Sequence, residues 1–94
     1  MPDRYPTERE IRDWCIGYVE RVVGDRSIPV GPDISFPRMG LDSASSAYFI
    51  VELEEWLGIE LDPEILTEHQ TIAELARHVI GLLAAVRDGD GAAG

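Results

Sequence analysis

Phe36-Pro-Arg-Met-Gly-Leu-Asp-Ser-Ala-Ser-Ser-Ala-Tyr-Phe-Ile-Val-Glu-Leu-Glu-Glu-Trp-Leu-Gly58 is the stretch whose reading decides the fold. Its first residues carry proline and glycine, which break both helical and strand periods. Asp42 is a favoured helix N-cap residue, because a short carboxylate can accept a backbone N–H of the first turn. No proline or glycine then interrupts the chain until Gly58. Ala47, Ile50 and Val51 form one stripe at helical spacing, and Phe49, Leu53 and Leu57 an adjacent one. A helix apolar over so wide an arc packs against two or three other elements.

Working outward, the preceding sequence is a second helix. Thr7 and Glu10 have capping-box spacing. Ile11, Trp14, Cys15, Tyr18, Val19 and Val22 follow at steps of three and four, and Gly24 can end the helix. The spacing predicts this helix over 8–23. Residues 24–42 form a long loop with Ile28, Val30, Ile34, Phe36 and Leu41 available as anchors. A loop of that length in a small domain is functional or tied down by its apolar residues.

After Gly58, Ile59 and Leu61 flank Glu60 in a short extended link. Asp62-Pro63-Glu64 then reads as a helix start, with proline at the first position. That short helix is expected over about 63–68, with Ile65 and Leu66 buried. Thr71 and Glu74 form another capping-box pair, and Ile72, Leu75, Ala76, Val79, Leu82, Leu83 and Val86 continue the helical period. The fold class is all-α: a four-helix bundle of three long helices and one short one, with a long loop between helices 1 and 2. The organisation expected is a leader at 1–7, one domain at 8–87 and a flexible, glycine-rich tail at 88–94.

The chain has 94 residues, 45% hydrophobic and 28% charged, the balance of a single globular domain. Its formal net charge is −10, and every basic residue is arginine. That charge argues against a nucleic-acid partner and for steering toward basic protein surfaces. No apolar run reaches the ~20 residues of a membrane span, and no secretory signal opens the chain, so no membrane and a cytoplasmic location are expected. The lone cysteine, Cys15, falls on an apolar helix face and reads as a small buried hydrophobe.

Familiar catalytic patterns are missing. There is no phosphate loop, dinucleotide fingerprint or nucleophile elbow. His69, His78 and one cysteine have no zinc-site spacing, so neither a metal nor a catalytic residue is expected. Glu54 and Glu55 point to different parts of their helix. What remains is Ser43, whose hydroxyl stands at a loop–helix junction. A serine there is most often a helix cap. A phosphodiester built on it would lie near unpaired helix N–H groups, a setting worth ~0.3–1 kcal/mol to an anion.

Three segments together resemble the acyl carrier protein family, over about residues 8–86. Phe36-Pro-Arg-Met-Gly-Leu-Asp-Ser43 resembles its loop-to-helix junction. Phe49-Ile-Val-Glu-Leu-Glu-Glu-Trp-Leu-Gly-Ile-Glu-Leu61 is similar to its acidic second helix and following turn. Thr71-Ile-Ala-Glu-Leu-Ala-Arg-His-Val79 is similar to the last helix of polyketide-synthase carriers. The resemblance implies a non-enzymatic carrier that receives 4′-phosphopantetheine from coenzyme A at Ser43, through a phosphopantetheinyl transferase. Acyl groups would ride as thioesters on the arm. It also implies that Leu41, Asp42, Ala44, Tyr48, Glu52, Glu54 and Glu55 belong to the surface read by the transferase and by partners. Those partners are acyltransferase, ligase or ketosynthase-type enzymes with basic docking patches.

Two departures from the family stand out. Ala44 replaces the usual leucine after the serine, and Tyr48 replaces an acidic residue. Tyr48 and Trp56, if exposed, suggest a contact tailored to one partner; otherwise both pack in the core. The chain starts at a methionine shortly before helix 1, and the reading is a discrete, monomeric carrier for polyketide-type or antibiotic biosynthesis. The alternatives are an aminoacyl or peptidyl carrier, and an unmodified acidic helical interaction module.

Overall fold

Helix α1, Glu8–Val23, begins where Thr7 and Glu10 cap one another. The Glu10 N–H donates to Thr7 Oγ1 at 3.1 Å, and the Thr7 N–H donates to Glu10 Oε1 at 2.8 Å. Gly24 ends the helix in the left-handed region (φ 67°), donating its N–H to Glu20 O at 3.0 Å. A computed structural model describes residues 5–24 and 27–93, with side chains as far as Val86. Residues 1–4 of the expected leader and Gly94 of the expected tail lie outside the described residues.

Helix α2 is Ser43–Leu57, capped by Asp42 and closed by Gly58 (φ 77°). Helix α3 is the short Ile65–Glu68, and α4 runs Ile72–Ala93. The backbone of α4 therefore continues through 88–93, the stretch read from sequence as a tail. The all-α, four-helix expectation holds. α1 packs chiefly along α4 and also against α2.

Several local readings shift. α3 starts at Ile65, not near Pro63, because Asp62 closes a tight turn instead. Its carboxylate accepts the Glu64 N–H at 2.8 Å, and its carbonyl accepts the Ile65 N–H at 2.9 Å. Ile65 is buried, but Leu66 is only half-buried. At α4, Thr71 Oγ1 accepts the Glu74 N–H at 3.1 Å, while the Glu74 carboxylate reaches the Gln70 N–H at 3.2 Å. The reciprocal bond has moved one residue upstream, and Thr71 itself lies opposite Ser35 of the long loop in an isolated antiparallel bridge. Val22, expected on the core face of α1, is 46% exposed, and Val23 packs against the core in its place.

The long loop is pinned to the start of α4 through its middle. The Phe36 N–H donates to Gln70 O at 2.9 Å, and the Ala73 N–H donates to Pro32 O at 2.9 Å. A single 3-10 turn, Pro37–Met39, follows, with Gly40 at φ 92° closing it. Phe36, Leu41 and Met39 are buried; Met39 was not among the anchors expected from sequence. A side chain at Gly40 would meet Ile28 Cδ1 at 3.5 Å as well as the unfavourable φ. This loop delivers the chain to the first residue of α2 at a defined place.

Phe49 of α2 is the centre of the core. Its ring lies 5.3 Å from Tyr18 and 6.1 Å from Trp14 of α1, and 5.5 Å from Phe36 of the loop, centroid to centroid. One aromatic side chain thus joins α1, α2 and the loop. Fully buried, this ring is among the largest side chains enclosed by the core.

Candidate functional site

The first turn of α2 carries two neighbouring residues with different tasks. Asp42 Oδ1 accepts the Ser45 N–H at 2.8 Å, and Asp42 O accepts the Ser46 N–H at 2.9 Å. Asp42, not Ser43, is the helix cap. The Ser45 N–H bond holds the Asp42 carboxyl below the usual aspartate range. Ser43 is exposed, and among the described residues its hydroxyl has no hydrogen-bond partner. The cap reading of Ser43 is thereby displaced: its neighbour performs that task and leaves the hydroxyl unused.

Ser43 lines a groove of about 790 Å³ between α2 and the segment that follows it. Leu41, Ala47, Ile50, Val51, Leu61 and Leu66 give it apolar walls, and Ser46, Thr67 and Gln70 a polar lip. Sequence reading placed Leu61, Leu66 and Thr67 in no site. They line the same groove as Ser43 only because the chain turns back after Gly58, and no local pattern announces that. An exposed serine on the lining of an open groove has room for a long flexible substituent, so the residues present fit a phosphopantetheine arm.

The remaining candidates separate around the helix. Leu41 is 5% exposed and serves the core, so it offers little to a partner directly. Ala44 is exposed, and Tyr48 is 70% exposed with no ring contact or hydrogen bond among the described residues. Glu55 is exposed. Glu54 is half-buried, and its carboxylate accepts the Leu61 N–H at 2.6 Å. Glu54 therefore also has a task within the chain, beside the docking position that the resemblance implies for it. Glu52 is exposed on the side facing α1. Burial first, and the Glu52 charge second, raise the Tyr18 phenol above its ordinary value, against the opposing pull of Arg21.

Ala47 and Val51, read as part of the core stripe, are exposed, Val51 at 47%. The core takes Phe49, Ile50, Leu53 and Leu57 instead. Trp56 is 41% exposed and lies flat on Trp14 of α1, centroids 5.1 Å apart at 12°. Trp14 in turn stacks on Tyr18 at 5.4 Å, and the Arg21 guanidinium sits 5.8 Å from the Tyr18 ring centroid. Trp56 is thus part of an α1–α2 aromatic stack, whereas Tyr48 stands alone.

Comparison with known proteins agrees with this arrangement. The family described as "Phosphopantetheine attachment site" matches residues 13–79. The chain is 37% identical over 68 residues to a mitochondrial acyl carrier protein of Dictyostelium discoideum, covering 72% of this chain and 57% of that protein. It is 33% identical over 72 residues to a phenolphthiocerol/phthiocerol polyketide synthase protein of Mycobacterium tuberculosis, covering 77% of this chain but only 4% of that much longer protein. Among solved structures, a free-standing peptidyl carrier protein of Acinetobacter baumannii superposes with a TM-score of 0.73 at 25% identity, over 82% of this chain and 96% of that one. A type-II acyl carrier protein of bleomycin biosynthesis from Streptomyces verticillus superposes with a TM-score of 0.72 at 25% identity, over 81% and 89% of the two chains. Members of this family bear a covalent 4′-phosphopantetheine and carry acyl groups without catalysing reactions. The chain belongs to the phosphopantetheine attachment-site family of carrier proteins.

Proposed function

We propose that Ser43 is the attachment residue and that the protein is a carrier of acyl intermediates in polyketide-type natural-product biosynthesis. The observation that carries this reading is the division of labour at the start of α2. Asp42 caps the helix, and the Ser43 hydroxyl is exposed and unpartnered among the described residues, on the lining of the groove. In the modification, a bond forms between Ser43 Oγ and the phosphorus of the pantetheine phosphate of coenzyme A. The phosphoanhydride bond breaks, 3′,5′-ADP leaves, and the hydroxyl proton passes to a base of the transferase. Once attached, the arm supplies a terminal thiol for thioester chemistry.

This chain's own residues do the presenting. The Phe36–Gln70 and Pro32–Ala73 backbone bonds hold the loop against the start of α4. Asp42 fixes the start of α2, so Ser43 has a constant position on a rigid element. The negative charge steers the protein toward basic partner surfaces. The likeness to the mycobacterial polyketide synthase supports polyketide-type work.

The test is intact-protein mass spectrometry after incubation with coenzyme A and a broad-specificity phosphopantetheinyl transferase. The wild type is expected to gain the mass of one phosphopantetheine, and Ser43→Ala none. No gain in wild type, or an equal gain in Ser43→Ala, overturns the reading. The similarity to a free-standing peptidyl carrier favours a second reading, in which the cargo is an aminoacyl unit. Loading with adenylating enzymes against loading with acyl donors separates the two.

A further inference from the structure

α3 is the least secured helix of the bundle. It has 4 residues, too few to sustain a helix alone, and it packs only lightly on the other helices. Ile65 is buried and Leu66 half-buried, and the helix closes at His69, whose N–H donates to Ile65 O at 2.9 Å. At that end α3 meets α4 through a second histidine. The rings of His69 and His78 stack with centroids 4.2 Å apart and planes 21° from parallel. Both side chains are half-buried.

The stack has no counter-charge. Neither ring has a hydrogen bond or an ion pair among the described residues. On the α3 side the charged neighbours are Glu64 and Glu68, and on α4 they are Glu74 and Arg77. The Glu74 carboxylate is on the Gln70 N–H, and Arg77 adds positive charge beside His78. No carboxylate of α1, α2 or the long loop reaches ion-pairing distance of either ring among the described residues. Two neutral imidazoles attract as stacked rings, and a cation over a neutral ring is still attracted. Two imidazolium rings face to face repel, and half-buried charges are screened less than exposed ones.

We propose that the His69–His78 stack is a proton-sensitive clamp that fastens the end of α3 to α4 and lets go when both rings carry a proton. Its release moves one wall of the groove, because Leu66, Thr67 and Gln70 surround His69 in the chain and line that groove. The release stops at residue 70. Beyond it the Phe36 N–H on Gln70 O and the Ser35–Thr71 bridge hold the long loop independently of the stack. The clamp concerns α3 and stands whatever Ser43 carries.

The experiment follows amide exchange by NMR as pH falls from about 7.5 to about 5, the span over which imidazole takes up its proton. Each rate is divided by the intrinsic rate at that pH, giving a protection factor. In wild type, protection at His69 is expected to fall about tenfold, the scale of like charges at this separation in a half-exposed setting. The Phe36 amide, bonded to Gln70 O, stays within about twofold as the internal reference. His78→Phe keeps a ring but not the second proton, so the fall at His69 shrinks to less than about twofold. His78→Ala removes the stack and leaves His69 weakly protected at both ends of the range. Glu74→Gln keeps the wild-type pH dependence.

Protection at His69 that stays within twofold in wild type overturns the proposal. So does a fall that persists in His78→Phe, one that disappears in Glu74→Gln, or one shared equally by Phe36. Wild-type protection at neutral pH in His78→Ala overturns the fastening role. His69→Phe is the mirror substitution, read at the Glu68 amide, and is expected to suppress the fall as His78→Phe does. It keeps the clamp testable if either single variant fails to fold.

Discussion

The Glu54 carboxylate accepts the Leu61 backbone N–H at 2.6 Å, across the Gly58 turn. The bond joins the last turn of α2 to the link before α3, and both residues line the groove that Ser43 lines. It gives the link a fixed position although α3 has only 4 residues and little helix of its own to rely on.

Removing that acceptor loosens the groove wall. Glu54→Ala leaves the Leu61 N–H without its partner and is expected to cost about 1.5–3 kcal/mol, the range for a hydrogen bond to a charged group. Glu54→Gln keeps an acceptor and costs less. Amide exchange at Leu61 should accelerate in Glu54→Ala while exchange in the core of α1 follows only the global stability. Unchanged exchange at Leu61 contradicts the assigned role.

Asp42 predicts a pH dependence confined to acid. Its folded carboxyl is held below the ordinary value of 3.8 by the Ser45 N–H. A depressed carboxyl contributes stability at neutral pH, and that contribution is lost as pH falls through the folded value. The Ser45 amide resonance should therefore titrate with a midpoint below 3.8, and Asp42→Asn should abolish that titration while keeping a cap. A midpoint at or above 3.8 refutes the capping account.

Cys15 should be chemically silent in the folded protein. Burial excludes the charged form and pushes its thiol from 9.0 up to about 12. Alkylation at pH 8 is expected to be slow in buffer and rapid in denaturant, because the thiolate is the reactive species. The sign also runs through stability. The unfolded thiol ionises first as pH rises, so folding weakens progressively from about 9 toward 12. Fast labelling of the native protein contradicts the buried position.

Phe49 carries the heaviest penalty for truncation. Its ring is fully buried and meets Trp14, Tyr18 and Phe36. Phe49→Ala should cost about 3–5 kcal/mol, a large part of the roughly 5–14 kcal/mol total available to a domain of this length. Phe49→Leu should cost less, since it fills much of the same space. Thermal or denaturant unfolding measures both. An alanine variant that unfolds within about 1 kcal/mol of wild type contradicts the central position of this ring.

Much of the fold was legible because its signals are short-range. The caps at Thr7 and Asp42 and the stops at Gly24 and Gly58 each act within a few residues. Periodicity identified the buried Phe49, Ile50, Leu53 and Leu57 but also drew Ala47, Val51 and Val22 into the core, where they are exposed. A helix face is marked by spacing, but how much of that face is covered depends on what lies opposite. At α4 the same limit shows in Glu74, whose carboxylate meets the Gln70 N–H and not that of Thr71, where the long loop runs alongside.

The sequence by itself determined four helices, their order and a serine at the start of the second. Each rests on chemistry between near neighbours, where residue type and spacing suffice. Tertiary structure decided what that serine is free to do, which glutamates of α2 are already engaged, and which aromatics remain outside. Those outcomes depend on pairs brought together from different elements: Glu54 with Leu61, Trp14 with Trp56, Ser35 with Thr71. Burial and hydrogen-bond occupancy belong to the folded surroundings of a residue, so Ser43 and Tyr48 acquired their meaning only when the rest of the chain had closed around α2 and left both exposed.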